Sequence, residues 1–418
     1  MSSTEVASPA AGPVFGLPYA PGGVAAARVA AAEPPERAHA LRAVALANAG
    51  EDRDQVVREA AFVLGSPGRH DVLSFWYAAV ALVHAGELDL AEEHCDRVLT
   101  ARSAENRGVT RNFALAMRGR LAWLQGDPAE AAATFDRALE RAAEPCLRDL
   151  LVAWSTVAHV GLGDFDTAYR RMLDRVCAAS RPGNDDEVEL AAALGELELA
   201  AERHEVARTA FLDCGRLLTE RGVANPAVVP WRSRAALCAF ASGRSRLAAV
   251  LAGRELALAR RWPNARTLGV STHAHAVVVG RGVAEAREAA EILARGPATG
   301  ELLCARYDLA HFLAADQQHS QARAVLGGVR DLARKAGYAV WAARAEAACD
   351  RLARQAGDRL TAQQRTIAEL ARSGMTNRRI AEQQFVTVRT VEFHLSGVYR
   401  KLGVSGRREL AALPAPLP

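Results

Sequence analysis

From about residue 38 onward the apolar positions of this chain fall at helical spacing, in paired segments joined by a short turn containing glycine. "ALANAGEDRDQVVREAAFVL", "ALVHAGELDLAEEHCDRVL", "LAWLQGDPAEAAATFDRAL", "HVGLGDFDTAYRRML" and "CAFASGRSRLAAVLAGREL" show the pattern. The turn glycines are Gly50, Gly86, Gly126, Gly163, Gly243 and Gly280, with successive gaps of 36, 40, 37, 80 and 37 residues. The gap of 80 holds two units, the middle one turning near Glu202. Five residues past four of these glycines stands alanine (Ala91, Ala131, Ala168 and Ala248), where a small side chain lets two antiparallel helices pack closely. Such spacing predicts a solenoid of eight helical hairpins between residues 38 and 355. Residues 1–37, rich in Ala, Pro, Gly and Ser with little large apolar content, read as a tail.

The pattern changes near Leu360, where the chain runs "LTAQQRTIAELARSGMTNRRIAEQQFVTVRTVEFHLSGVYRKLGVSGRREL". Thr361 and Gln364 have the spacing of a capping box, opening a helix that turns Ile367 and Leu370 inward. Ser373-Gly374-Met375 ends it, and a short second helix over residues 377–384 buries Ile380 and Ala381. After a tight turn at Phe385-Val386, Thr387 caps a third helix. Val388, Val391, Leu395, Val398 and Leu402 make its apolar face, and Arg389, Glu392, Phe393, Ser396 and Arg400 stand opposite. Two short helices joined by a tight turn, the second polar on one side and ringed by arginine, predict a helix-turn-helix. The fold expected for the whole is all-α.

Charge sharpens this reading. The net charge of +4 conceals an excess of ten basic over five acidic residues from Asp358 to Ala411, which leaves about −1 for the rest of the chain. A basic domain of that size on a near-neutral chain is suited to a polyanion. Lysine occurs only at Lys335 and Lys401, neither after a glycine, so a phosphate-binding P-loop is excluded. The seven cysteines (Cys95, Cys146, Cys177, Cys214, Cys238, Cys304 and Cys349) are scattered singly, and their spacing fits neither a zinc site nor a disulfide framework. His273 and His275 of "HAH" project from nearly opposite sides of a helix, and Asp185-Asp186-Glu187 reads as a solvated loop. No nucleophile–base pair, metal cluster or cofactor motif emerges, so no catalytic residue, metal or cofactor is expected, and no enzyme. Without a signal peptide or an apolar run long enough for a bilayer, the expected location is the cytoplasm.

Two resemblances extend the expectation. In the unit around Gly126, Gly119, Gly126, Ala131, Phe135 and Ala138 fall at the signature offsets of the tetratricopeptide repeat, which the unit resembles. That resemblance turns first-helix aromatics such as Trp76 and Trp123 toward a concave surface, where they are candidates for contact with an unknown small-molecule or protein effector. "RTVEFHLSGVYRKLGV" and its surroundings are very similar to the DNA-binding domain of LuxR-type transcriptional regulators. The segment "WRSRAALCAFASGRSRLAAVLAGRELALARRW" looks like the C-terminal half of the large ATP-binding members, of which this chain resembles a shortened form without the ATPase.

The implied organisation is a tail at 1–37, a sensor or interaction array at 38–355, a DNA-binding domain at 356–411 and a tail at 412–418. By resemblance, Glu392, Phe393 and Ser396 face base edges, while Thr387, Arg389, Thr390, Arg400, Lys401 and Arg407 contact phosphates. The fourth helix, from about Arg407, is where the family dimerises on DNA. The implied partners are promoter DNA, the transcription machinery and a second copy, in a bacterial activator bound at the nucleoid. Gln384, Arg379 and Gly397 depart from the family pattern, which leaves open the alternative of a protein-interaction scaffold with a vestigial DNA-binding domain.

Overall fold

The computed structural model describes residues 34–65, 71–101, 107–142, 145–178, 187–280, 282–358, 360–402 and 404–413. Most of the expected N-terminal tail, Asp185, Asp186 and the side chains of Cys146 and Cys177 lie outside the described residues. Among those described, the chain is all-α and forms 21 helices. Eight hairpins come first: α1 and α2 (Pro35–Ala49, Arg53–Gly65), α3 and α4 (Val72–Ala85, Leu88–Thr100), α5 and α6 (Arg107–Gln125, Pro128–Leu139), and α7 and α8 (Pro145–Leu162, Phe165–Ala178). Then follow α9 and α10 (Glu187–Ala200, His204–Glu220), α11 and α12 (Trp231–Ala241, Ser245–Ala259), α13 and α14 (Ala265–Val279, Val283–Leu293), and α15 and α16 (Thr299–Ala315, His319–Lys335). A single helix α17 (Ala339–Asp358) closes the stack. The terminal domain comprises α18 (Ala362–Arg372), α19 (Asn377–Gln383), α20 (Val388–Leu402) and α21 (Arg407–Ala412).

Each hairpin turns through at least one left-handed residue, the first through Gly50 and Asp52 and the seventh through Gly280 and Gly282. At Gly86 (φ +85°) the Gly86 N–H bonds to the Val83 carbonyl and the Glu87 N–H to Leu82 at 2.9 Å, so the last carbonyls of α3 are capped as the chain reverses. The fifth and eighth hairpins turn instead on Glu202 (φ +62°) and Gln317 (φ +61°). Ala91, Ala131, Ala168 and Ala248 are fully buried between the two helices of their hairpins. Gly119 of α5 sits against Phe135 of α6 so closely that a Cβ on residue 119 would lie 2.5 Å from the ring.

The array also bonds to itself across long sequence distances. The Asn225 side-chain amide donates to the Ala47 carbonyl at 2.7 Å, a contact spanning 178 residues. Trp262 Nε1 donates to the His84 carbonyl at 2.9 Å, again across 178 residues. The turns at Gly126 and Gly163 likewise meet Thr299 and Val340. The tips of the first four hairpins therefore pack on segments about five hairpins later, which draws the stack into a closed superhelical turn around a central space.

Candidate nucleic-acid interface

In the terminal domain α18, α19 and α20 enclose a small core of Ile367, Ala368, Ala371, Ile380, Ala381, Val391, Leu395 and Val398, capped by Leu360 and by Leu410 of α21. That burial is the apolar seam of the pattern, with one difference. Val388 is exposed, because the first residue of α20 lies beyond the core, and Val386 of the turn packs there instead. The capping box forms as spaced: the Gln364 N–H donates to Thr361 Oγ1 at 3.1 Å, and the Thr361 N–H donates to Gln364 Oε1 at 3.1 Å. Thr387 caps α20 by accepting from the Thr390 N–H at 3.1 Å. Between α19 and α20 the chain turns through Phe385 at φ +54°, and its ring is 97% exposed.

The nine residues singled out in the sequence all stand on α20, its cap or the start of α21. Glu392, Phe393 and Ser396 are exposed on the side away from the core, Phe393 to 76%. Thr387, Arg389 and Arg400 are exposed; Thr390, Lys401 and Arg407 are half-buried. Lys401 Nζ donates to Gln364 Oε1 at 2.9 Å, and the Gln364 amide lies over Gly397, where a Cβ would meet it at 2.8 Å. A side chain at 397 would displace that amide end, a contact that the flexible Gln364 side chain can relieve by moving. Arg407 Nη2 donates to Asn377 Oδ1 at 2.6 Å and its Nη1 bonds to the Met375 carbonyl, tying α21 to the turn before α19. Three of its five N–H donors remain. His394 is half-buried, with an Nδ1 that has no hydrogen-bond partner among the described residues.

Charge distinguishes this domain from the array before it. Array arginines are widely paired with carboxylates, as in Arg53–Glu87 at 2.6 Å and Arg234–Glu196 at 2.8 Å. In the terminal domain Arg365, Arg379, Arg389, Arg400 and Arg408 have no ion-pair partner among the described residues, and only Arg365 of them precedes α19. Exposed, unpaired guanidinium groups cost little to present to phosphate and lose no internal partner on binding.

Inside the array lies a cavity of about 720 Å³, adjoined by one of about 280 Å³. Trp123 lines the larger beside Tyr338, their ring centroids 6.2 Å apart. Trp76 lines the smaller but is almost fully buried, edge-on to Phe113 at 5.0 Å. Between the two spaces stands Trp154, under the Arg120 guanidinium, with its Nε1 donating to Glu189 at 3.0 Å. Burial, with Arg120 nearby, lowers the His84 pKa to about 3, so that wall carries a neutral imidazole. Burial opposes ionisation of Glu301, but Arg266 and Arg234 hold it below the usual carboxylate range. His273 and His275 do not converge: His273 Nε2 bonds to Asp308 at 2.7 Å, and His275 faces Glu285. The His273–Asp308 contact, with Cys304 beside it, spans two hairpins and leaves no trace in local spacing.

Among the described residues no helix is long and apolar enough to cross a membrane. Comparison with curated proteins gives no match. Solved structures similar to this chain include a Rap protein complexed with Competence and Sporulation Factor (11% identity, 77% of this chain and 98% of that one, TM-score 0.46). Yeast Tom70 shares 15% identity over 77% of this chain and 64% of its own (TM-score 0.35), and the APC/C hetero-tetramer Cut9–Hcn1 shares 11% over 93% and 86% (TM-score 0.32). The family described as bacterial regulatory proteins, luxR family, matches residues 358–413. Joined to the capped, arginine-ringed tri-helical core, that match makes the C-terminal domain a LuxR-family helix-turn-helix, carried on an all-α array of helical hairpins.

Proposed function

We propose that this chain is a sequence-specific transcriptional regulator, an activator, that binds promoter DNA as a dimer and is controlled through its repeat array. One observation carries the reading: the outward side of α20 offers Glu392, Phe393 and Ser396 between unpaired arginines, on a helix whose other side is locked into a core. In the major groove Glu392 accepts from a cytosine N4 amine, Phe393 packs on a thymine methyl, and Ser396 bonds to either base edge. Thr387, Arg389, Thr390, Arg400, Lys401 and the free donors of Arg407 take phosphates, setting register and making affinity fall steeply with salt. Dimerisation through α21 gives a two-fold site.

The array receives the signal in its central cavity, with Trp123 and Trp76 on the lining of its two parts. An effector shifts the population of dimerisation-competent chains only insofar as it binds that state better than the other. The regulator acts in the cytoplasm, at the nucleoid. Gel-shift of the full chain on fragments from beside its own gene tests the proposal. Retardation lost in Arg400→Ala/Lys401→Ala, with an unchanged circular dichroism spectrum, is expected; binding that ignores salt and survives the double substitution overturns it.

A further inference from the structure

We propose that His273, Cys304 and Asp308 form a binding site for a zinc-like divalent cation in the wall of the central cavity. One nitrogen, one sulfur and one carboxylate oxygen from these residues lie within 4.8 Å of one another. Cys304 and Asp308 are one helical turn apart on α15, so both project from the same side of a rigid element. His273 comes from α13 of the preceding hairpin and is buried. An imidazole, a thiolate and a carboxylate are the donor types that tetrahedral zinc takes, whereas calcium and magnesium select oxygen alone.

Between His273 and Asp308 the geometry needs only a small adjustment, while the Cys304 sulfur, within 4.8 Å of both, closes on the ion by side-chain rotation. His273 Nε2 and Asp308 Oδ2 are 2.7 Å apart, a hydrogen-bond distance. Two ligands on a tetrahedral zinc with metal–ligand bonds of about 2.0 to 2.1 Å stand about 3.3 Å apart. Rotating the Asp308 carboxylate by roughly half an ångström opens that room. Cys304 and Asp308 also line the cavity, which leaves the fourth coordination position facing the space where a water or an effector donor can enter.

The charges around this point are mixed: the Arg234 guanidinium also acts on Cys304, and Asp308 is the one of three neighbouring wall carboxylates without a guanidinium partner of its own. Two other carboxylates on the same wall have guanidinium partners, Glu196 with Arg234 at 2.8 Å and Glu301 with Arg266 at 2.7 Å. Asp308 has an imidazole instead. The same three residue types could suggest a thiol nucleophile with a His–Asp pair. Burial and the adjacent Asp308 push the Cys304 thiol up, opposite to the shift that activates an attacking sulfur. On metal binding the thiol proton passes to water and the sulfur lone pair to the cation.

Titration of the chelator-stripped full chain with cobalt(II) and zinc, without DNA, tests the site and is independent of the DNA-binding reading. Expected is one saturable equivalent of cobalt with thiolate-to-metal charge-transfer absorption. Cys304→Ser should abolish that band and weaken zinc binding at least about tenfold in competition with a chromophoric chelator. Asp308→Asn should weaken zinc comparably while the band persists, and Cys349→Ser should change neither. Absence of saturable binding in the unsubstituted chain at micromolar metal, or a band that survives Cys304→Ser, would leave a hydrogen-bonded pair only and overturn the proposal.

Discussion

Replacing Arg389 and Arg400 by alanine separates a phosphate-reading helix from a merely basic one. Both guanidinium groups are exposed and without an ion-pair partner among the described residues, so truncation orphans no carboxylate. Arginine and alanine both favour helix, and folding stability should stay within about 0.5 kcal/mol of the parent. DNA affinity should not. Each lost phosphate contact removes about 0.9 from the slope of log K against log salt, which at 0.1 M salt is roughly eightfold in affinity. Two contacts come to about 60-fold, or roughly 2.4 kcal/mol, for each domain engaged, so a dimer holding both half-sites loses about twice that free energy. Fluorescence anisotropy of a labelled duplex across a salt series measures both quantities, with thermal denaturation as the control. The weakening should be uniform across duplex sequences, because phosphates carry no base identity. A slope unchanged by the double substitution, in a chain that still melts at the parent temperature, refutes the assignment of these arginines to phosphate.

Gly119→Ala should destabilise the array, because the new Cβ would lie 2.5 Å from the Phe135 ring; overpacking of about 1–3 kcal/mol exceeds the gain of about 1 kcal/mol in helix propensity, and Phe135→Leu in the same chain should restore part of the loss in a urea melt. Glu255 is buried, and burial raises its pKa from 4.5 to about 7 against the pull of the Ser233 N–H and Arg232. The folded state therefore holds this proton more tightly than the unfolded chain. The stabilisation tied to it is complete below pH 4.5 and lost as pH rises through about 7. Glu255→Gln should flatten that dependence by roughly 3 kcal/mol between pH 4.5 and 8 in denaturant melts, whatever it does to absolute stability; an unaltered pH profile contradicts it. Phe385→Asn should stabilise the terminal domain by about 0.5–1 kcal/mol, since asparagine takes the left-handed conformation more readily and a 97% exposed ring gives up no packing. Slower hydrogen exchange across residues 360–413 would show it.

Much of the architecture is legible in the chain because the same physics recurs every thirty-six to forty residues. Each hairpin needs a left-handed residue at its turn and a small one where its helices cross. The fifth hairpin shows how the signal weakens. Its turn falls on Glu202, which no composition rule marks, although Gly195 and Phe211 repeat the Gly119–Phe135 offset and make the same close approach. The helix-turn-helix was readable to the residue at the box at Thr361 and the cap at Thr387, because caps are local chemistry, whereas α21, which has no side-chain cap, came only from the family resemblance. Closure of the array was not readable. Asn225 on Ala47 and Trp262 on His84 depend on how small rotations between hairpins accumulate over five units. The meeting of His273 with Cys304 and Asp308 was hidden for the same reason, since His273 sits on α13 and the other two on α15, and each reads locally as packing.

Whether α20 reads base edges is decided by selecting the full chain, and its Glu392→Ala/Phe393→Ala counterpart, against a pool of random duplexes at physiological salt. A regulator of this kind enriches one motif arranged as two symmetric half-sites, and the double substitution erases the motif while leaving weak, salt-sensitive binding to any duplex. Enrichment of no motif by the unsubstituted chain, or of the same motif by both proteins, would contradict it.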